Sequence, residues 1–262
     1  MPLLPPAFLK KLVARLDDEN TLGVMMSGSF ARGEGGPYSD IDLVHYVREK
    51  PAGESDMPRL EFIDGFLVSI TTSLVEKDYA GLRSPRRAIW VIPGLRQAQI
   101  LLDKDGVLAA LKEAAQSVTW ESLRAAADAF ASRCLAGTAE EVYKILDGLE
   151  QSDESKTTYA IWSLTQNLSE AVLVRRGVLV PTENDYIDCA QAAAGRKSAW
   201  TRQFRLAIGL DLLPPDTPAY IGFGIAGLRL YRETALLLKD VLQPEDAQVV
   251  DRTLAVMTEA GY

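Results

Sequence analysis

One stretch of sixteen residues constrains this chain more than any other: GSFARGEGGPYSDIDL, which runs from Gly28 to Leu43. It follows a short apolar run over residues 22–27, which is typical of a buried strand, and it ends inside a second strand-like run over residues 41–47. A glycine has no Cβ, so it lets the backbone turn sharply and pass close to a bulky anion. The stretch therefore predicts a strand, a glycine-rich turn with a short helix, and a second strand, arranged around a ligand.

Two aspartates separated by one residue identify the kind of ligand. On a strand, residues i and i+2 project from the same face, so Asp40 and Asp42 point together while Ile41 and Leu43 enter the core. Two adjacent carboxylates repel each other unless a cation lies between them, and hard oxygen ligands favour Mg²⁺ or Mn²⁺. The spacing therefore predicts a Mg²⁺ or Mn²⁺ site held by Asp40 and Asp42.

The turn before these aspartates has the features of a phosphate site. The Ser29 hydroxyl and the backbone N–H groups that follow it are expected to face phosphate oxygens at the start of a short helix, and Arg32 is available to a phosphate or to a neighbouring acid. Divalent ions that bridge carboxylates and the phosphates of a nucleotide activate an acceptor oxygen and neutralise the leaving pyrophosphate. Together these features predict nucleotide chemistry.

A glycine–serine pair followed by the D-x-D of S-D-I-D-L resembles the nucleotidyltransferase superfamily that includes DNA polymerase β. More narrowly, the chain is similar to the antibiotic nucleotidyltransferases, such as the aminoglycoside and lincosamide adenylyltransferases. The resemblance covers roughly residues 20–105, and it extends to the rest of the chain only through length and a helical C-terminal part. It implies an NTP as co-substrate, ATP or another, and a divalent metal ion.

The resemblance also assigns roles to individual residues. It implies that Asp40 and Asp42 bind the metal ions. It implies that the triphosphate is held by Gly28 and Ser29, with weaker phosphate contacts from Arg32 and Ser39.

One residue of the family pattern is missing. Members of the family usually carry a third carboxylate on a later strand, after a hairpin glycine, where it acts as general base or holds a metal ion. In this chain the stretch reads GFLVSIT over residues 65–71, and Ser69 occupies the expected place. Serine is a poor metal ligand and is not a base at neutral pH.

Glu61 is the nearest candidate to replace the missing carboxylate. A two-residue turn at Asp64-Gly65 pairs Glu61 with Val68 and puts it on the face opposite Ser69, whereas a three-residue turn shifts the register and brings it to the same side. The sequence leaves both registers open. A partner subunit or the helical part could also supply the base; acids available in the helical part are Glu113, Glu121 and Asp128.

The predicted secondary structure changes near residue 107. The first hundred residues alternate between helix-like and strand-like runs, including a hairpin over 59–72 and a last strand over 98–102, with Arg86 and Arg87 predicted in a solvated turn between them. From 107 onward, long Ala/Leu/Glu-rich stretches alternate with Pro or Gly breaks. We expect an α+β fold, with a nucleotidyltransferase domain of mixed sheet and flanking helices over 1–106 and an all-α domain over 107–262.

Composition excludes several classes of function. The net charge is −8, and residues 111–262, with 15 basic and 21 acidic groups, supply −6 of it. Phosphate-backbone binding needs clustered Lys and Arg, so nucleic acid is not expected as the main partner, whereas a cationic small molecule suits this charge. No apolar run is long enough to span a bilayer, and the N-terminus does not resemble a signal peptide. Two cysteines far apart fit a reducing compartment, so a cytoplasmic location is predicted.

Two groups of residues in the helical part are candidate acceptor surfaces. The first is a partly polar helix face at i, i+4, i+5 and i+8, made by Trp162, Gln166, Asn167 and Glu170. The second consists of Tyr186 with Asp185 and Asp188.

The predicted reaction is transfer of a nucleoside monophosphate from an NTP to a hydroxyl of a small-molecule acceptor, with release of pyrophosphate. The resemblance and the acidic second part favour an aminoglycoside-type acceptor, and the resemblance also points to a homodimer. Because Ser69 replaces the usual carboxylate, the alternative is a nucleotide-binding relative with weak or no transferase activity, with a regulatory or antitoxin-like role.

Overall fold

The computed structural model describes residues 4–53, 55 and 57–262, and it divides into two compact units. The first unit comprises the chain up to Thr119 together with Leu179–Glu183, and the second comprises Trp120–Val178 and Asn184–Tyr262. The helix over residues 107–117 thus lies in the first unit, whereas the sequence grouped it with the helical part. Its Leu108 and Leu111 are fully buried, and Leu108 lies against Gly23 of the sheet.

The first unit is a five-stranded mixed sheet with flanking helices. The order of strands in the sheet is β3-β4-β2-β1-β5; β2 and β4 run parallel, and the other neighbours are antiparallel. Its elements are α1 (Pro6–Leu16), β1 (Thr21–Ser27), α2 (Gly28–Ala31), β2 (Ile41–Val47), β3 (Arg59–Ile63), β4 (Phe66–Ser73), α3 (Val75–Arg83), α4 (Pro85–Gln97), β5 (Gln99–Asp103) and α5 (Val107–Ser117).

The two faces of this sheet are covered differently. On one face, the apolar stripe of α1, Phe8, Leu12 and Leu16, packs into a core cluster with apolar residues of β1, β2 and β4. On the other face, a cavity of about 170 Å³ is lined by residues of β1, β2, α3 and α4. At its edge the buried Tyr46 donates a hydrogen bond to Asp78 Oδ2 at 2.7 Å. Asp42 belongs to this second face.

The turn between β3 and β4 fixes the register of the hairpin. Asp64 and Gly65 both have positive φ, 50° and 86°, as the two central residues of a type I′ turn require. Ile63 pairs with Phe66 directly across this two-residue turn. Of the two registers that the sequence left open, the structure has the shorter one.

The second unit is helical. Its α-helices are α6 (Arg124–Gly137), α7 (Ala139–Gln151), α8 (Glu154–Arg176), α9 (Tyr186–Ala194), α10 (Ala199–Ala207), α11 (Ala219–Leu238) and α12 (Pro244–Glu259). Two short 3₁₀ turns, Trp120–Leu123 and Glu183–Asp185, precede α6 and α9. The glycines of α11 let helices approach closely: a Cβ at Gly224 would lie 3.2 Å from side-chain atoms of Leu149 and Thr157.

The predicted fold class is confirmed: a mixed sheet with flanking helices is followed by a helical region. Among the described residues, no helix combines the length and the apolar character that a membrane crossing needs.

Candidate active site

Three polar side chains form a row across the middle of the sheet. Asp42 of β2 lies opposite Ser27 of β1 in the antiparallel ladder and opposite Ser69 of β4 in the parallel one. Neighbouring strands are separated by about 4.8 Å, so the three side chains lie side by side on one face. The predicted position of the missing carboxylate is therefore occupied by a serine directly beside Asp42.

Gly28 lies against the carboxylate of Asp42. Its φ is +69°, a left-handed conformation in which a residue with a side chain is strained. A Cβ at this position would overlap Asp42 Oδ2. Glycine is thus required twice at the start of α2, by its backbone conformation and by the space that the carboxylate fills.

The surroundings of Asp42 oppose its ionisation. Burial, followed by the negative charge of Asp40 and a smaller effect of Glu183, raises the pKa of Asp42 from 3.8 to about 6. The Arg32 guanidinium and the Ser69 hydroxyl act in the opposite direction and lower this pKa. Asp40, which directly precedes β2, therefore lies close enough to Asp42 for its charge to disfavour the ionised form of Asp42.

A divalent cation fits this pair of carboxylates. Neither Asp40 nor Asp42 forms an ion pair with any described Lys or Arg, and the Arg32 guanidinium, which is paired with Glu34, offsets only part of their charge. Mg²⁺ is commonly held by one or two carboxylates, with phosphate and water oxygens completing its shell. No group of three or more His, Cys, Asp or Glu side chains with metal-binding geometry occurs in the described part of the chain. The donor set therefore suits a metal ion that arrives with a phosphate ligand better than one held by the protein alone.

The predicted phosphate-contacting residues differ in their own hydrogen bonds. The Ser29 hydroxyl is half-buried and donates no hydrogen bond to a described residue. Arg32 is largely buried, and its Nε donates to Glu34 Oε2 at 2.7 Å. Ser39 Oγ accepts the Gly36 N–H at 2.9 Å, so this hydroxyl also stabilises the turn.

The structure places Glu61 on the other face of the sheet from Asp42 and Ser69. In the observed register Glu61 pairs with Val68, while Ser69 pairs with Leu60. Glu61 consequently lies on the face opposite Asp42, where its Oε2 accepts a hydrogen bond from Arg15 of α1 at 3.0 Å. The two-residue turn is the physical reason, because a shift of one residue would have reversed every side chain of β3.

A different acidic residue lies near Asp42. Glu183 is close enough for its charge to raise the pKa of Asp42, although 140 residues separate the two in the chain. The segment Leu179–Glu183 belongs to the first unit, and it is anchored there by the buried Val180, whose N–H donates to Ile89 O of α4 at 2.8 Å. No local pattern in the sequence connects Glu183 with the aspartates.

Comparison with known proteins agrees with this geometry. Residues 9–91 match the family model described as nucleotidyltransferase domain, and this span contains Gly28, the aspartate pair and Ser69. The N-terminal part of this chain is a nucleotidyltransferase domain. The resemblance inferred from the G-S and D-I-D motifs is thereby confirmed for the superfamily.

A solved structure shares the fold of the whole chain. It is the crystal structure of a nucleotidyltransferase-like protein from Exiguobacterium sibiricum, with a TM-score of 0.51 and 12% sequence identity. The similarity covers 97% of this chain and 78% of that protein. No curated protein matches the chain significantly.

Proposed function

We propose that the first unit binds an NTP, with ATP as the first candidate, together with Mg²⁺ or Mn²⁺, and transfers its nucleoside monophosphate to a hydroxyl of a small molecule. The observation that carries this proposal is the proximity of Asp40 and Asp42, two carboxylates that form no ion pair with a described Lys or Arg, next to the Gly28 turn of a nucleotidyltransferase domain. When bound, the metal ion would neutralise the charge of the triphosphate and of the leaving pyrophosphate.

The remaining residues of the turn would bind and orient the nucleotide. Gly28 allows close approach of the backbone. The Ser29 hydroxyl, which donates to no described residue, and the Arg32 guanidinium would supply a donor and a positive charge for phosphate oxygens. Ser39 would hold the turn and add a weaker contact. In the reaction, the acceptor oxygen bonds to the α-phosphorus, the bond from that phosphorus to the β-phosphate bridging oxygen breaks, and pyrophosphate leaves.

Glu183 is the proposed acceptor of the hydroxyl proton. It is exposed, it lies within electrostatic range of Asp42, and its segment is fixed to α4 through Val180. A general base needs to reach the hydroxyl it deprotonates, and the electrostatic effect of Glu183 on Asp42 supports its assignment to this role. Glu183→Gln should lower the rate of pyrophosphate release at least about a hundredfold while ATP binding changes little.

Glu61→Gln is the matched control for that experiment. It makes the same chemical change in the same unit, on the face of the sheet away from Asp42. We expect its rate to stay within about twofold of the parent. Equal rates for Glu183→Gln and the parent protein would eliminate Glu183 as the base. The role of the aspartates is tested separately by Asp42→Ala, which should abolish Mg²⁺-dependent ATP binding measured by calorimetry.

The proposed acceptor class is an aminoglycoside. This part of the proposal is supported by the resemblance to antibiotic nucleotidyltransferases and by the −6 charge of residues 111–262, which favours a polycation. Pyrophosphate release measured with a panel of aminoglycosides, with lincosamides and simple polyols for comparison, tests it. A homodimer, which the same resemblance suggests, would be visible as a doubled mass in light scattering.

A second candidate function is nucleotide binding without turnover. Ser69 beside Asp42, and the absence of a three-membered acidic cluster among the described residues, favour it. Such a protein would bind ATP with Mg²⁺ in calorimetry and release no pyrophosphate with any acceptor. Binding without release would support this candidate, and release with one acceptor of the panel would support the transferase.

A further inference from the structure

The second unit contains a pocket, and three residues of the two candidate acceptor surfaces, Trp162, Gln166 and Tyr186, line it. Its volume is about 350 Å³, and it is built by residues of α8, α9, α10 and α11 and by the loop after α10. Four aromatic rings, those of Trp162, Tyr186, Phe204 and Phe223, contribute to its wall. An apolar cavity of about 150 Å³ is enough to bind benzene, so this pocket has room for a molecule of two or three fused rings.

The charge of the wall defines the chemistry of the ligand. None of the residues that line the pocket is an Asp, Glu, Lys, Arg or His. A charged ligand would lose its hydration there without gaining an ion pair, which is unfavourable by several kcal/mol. The polar groups present are hydroxyls and one amide: Thr158, Thr165, Tyr186 and Gln166.

The pocket is held open by contacts outside its lining. Arg205 binds the Asp211 carboxylate through Nη2 at 2.7 Å and through Nε at 3.0 Å, which fixes the loop after α10. The Tyr186 hydroxyl is 2.8 Å from Ser169 Oγ, which fixes that ring, and Phe204 stacks on the buried Trp200 at 4.9 Å. A wall that is ordered in advance loses little conformational entropy when a ligand binds.

Two features at the mouth indicate where a ligand would enter. The Trp162 ring is 60% exposed, with Tyr159, 63% exposed, tilted against it at a centroid distance of 5.8 Å. One turn further along α8, the exposed Gln166 makes no side-chain hydrogen bond with any residue that the structure describes. Large exposed aromatic side chains beside a concave apolar surface are a common mark of a binding site.

We propose that this pocket is a binding site for an uncharged small molecule with a fused aromatic ring system and one hydrogen-bonding group, with the rings against Trp162 and the polar group at the Gln166 amide. Such a ligand differs in chemistry from a polycationic aminoglycoside. The pocket lies within the helical unit, so binding of this ligand does not depend on nucleotidyl transfer by the first unit.

Calorimetry with three naphthalene probes tests the proposal on the full chain. 2-Naphthol is neutral, 2-naphthalenesulfonate carries a fixed negative charge, and 2-naphthylmethylamine is a cation with the same ring system. We expect saturable one-to-one binding of 2-naphthol and at least about tenfold weaker binding of both charged probes, because their charge would have to be desolvated. Equal binding of all three probes would overturn the proposal. The absence of 2-naphthol binding at a concentration of about 1 mM would overturn it too, because a dissociation constant of about 1 mM is the weakest that counts here as binding.

Variants locate the probe in the pocket. Trp162→Ala should weaken 2-naphthol binding about tenfold through loss of a stacking wall, while Tyr143→Ala, a truncation of another half-exposed aromatic side chain of the same unit outside the pocket, should leave it unchanged. Gln166→Glu adds a charge at an exposed position and should weaken 2-naphthol but strengthen the cationic probe. Circular dichroism confirms that each variant is folded. Binding that is insensitive to both Trp162→Ala and Gln166→Glu would contradict the proposed site.

Discussion

Asp42→Asn should stabilise the first unit when no metal ion is present. The folded environment raises the pKa of Asp42 from 3.8 to about 6 through burial and the neighbouring Asp40 charge. At 25 °C a tenfold change in a dissociation constant is worth about 1.36 kcal/mol, so keeping this carboxylate ionised above pH 6 costs about 3 kcal/mol if solvent is ignored. Because the carboxyl group is only about half-buried, screening by water lowers the expected gain for Asp42→Asn to about 1–2 kcal/mol.

The pH dependence of this gain follows from linkage. The folded-state pKa lies above the unfolded one, so the carboxylate penalty is absent below pH 3.8, grows as the pH rises towards about 6, and is complete above that. The difference between Asp42→Asn and the parent should therefore be full at about pH 7.5 and largely lost at about pH 4. Saturating Mg²⁺ should also reduce it, because only the parent gains stability from the ion.

Hydrogen exchange during urea unfolding is the suitable assay, because three of the four tryptophans, Trp120, Trp162 and Trp200, lie in the second unit and would dominate a fluorescence signal. Mass spectrometry of peptides from β1 and β2 reports on the first unit directly. Asp105→Asn is the control, since it removes one negative charge from an exposed loop of the same unit. The electrostatic reasoning would be refuted if Asp42→Asn were no more stable than the parent at about pH 7.5. It would also be refuted if the difference in unfolding free energy between the two proteins were the same at about pH 7.5 and at about pH 4.

Three further substitutions test other parts of the site. Ser69→Asp places a third carboxylate in the row beside Asp42; it should tighten Mg²⁺-dependent ATP binding at least about tenfold and lower the stability of the metal-free protein, measured by calorimetry and thermal unfolding. Gly28→Ala should cost about 2 kcal/mol or more and abolish ATP binding, because φ is +69° and the methyl group would overlap the Asp42 carboxylate; normal binding would contradict the packing described. Tyr46→Phe leaves the half-buried Asp78 without its 2.7 Å hydrogen bond and should cost about 1–3 kcal/mol in urea unfolding, whereas a neutral result would mean that water replaces the hydroxyl.

Sequence reasoning succeeded where structure depends on near neighbours. The strand–turn–strand path of residues 22–47 follows from glycine geometry and the two-residue period of strands. The hairpin at Asp64-Gly65 follows from the residues that a type I′ turn accepts. The sequence did not determine the register of the hairpin, because a turn that is longer by one residue changes that register. The face of the sheet on which Glu61 lies was therefore also undetermined.

The sequence failed where tertiary packing overrides local preference. Arg86 and Arg87, predicted in a solvated turn, lie in the first turn of α4, which continues through Pro93 in its interior. A proline inside a helix normally argues against that helix. Here the buried side chains of Ile89 and Ile92 stabilise it against the rest of the unit.

The proximity of Glu183 to Asp42 was likewise beyond sequence reasoning. The residues around Glu183 and around Asp42 show no pattern that predicts their proximity, since 140 residues lie between them in the chain. Their proximity depends on the hydrogen bond from the Val180 N–H to Ile89 O. A contact of that kind is decided by how the chain returns to the sheet, and local patterns carry no information about it.

The Asp42 carboxylate fills the space that a side chain at position 28 would need, so the residue types allowed at these two positions depend on each other. A side chain at position 28 would need a shorter residue at position 42 and also a different backbone conformation of the turn, and shortening position 42 removes the acid itself. A saturation library of the two positions should therefore return the parental combination among the functional clones, with survivors of other kinds folded but inert. Redesign of this centre would have to change both side chains and the backbone path of the turn together.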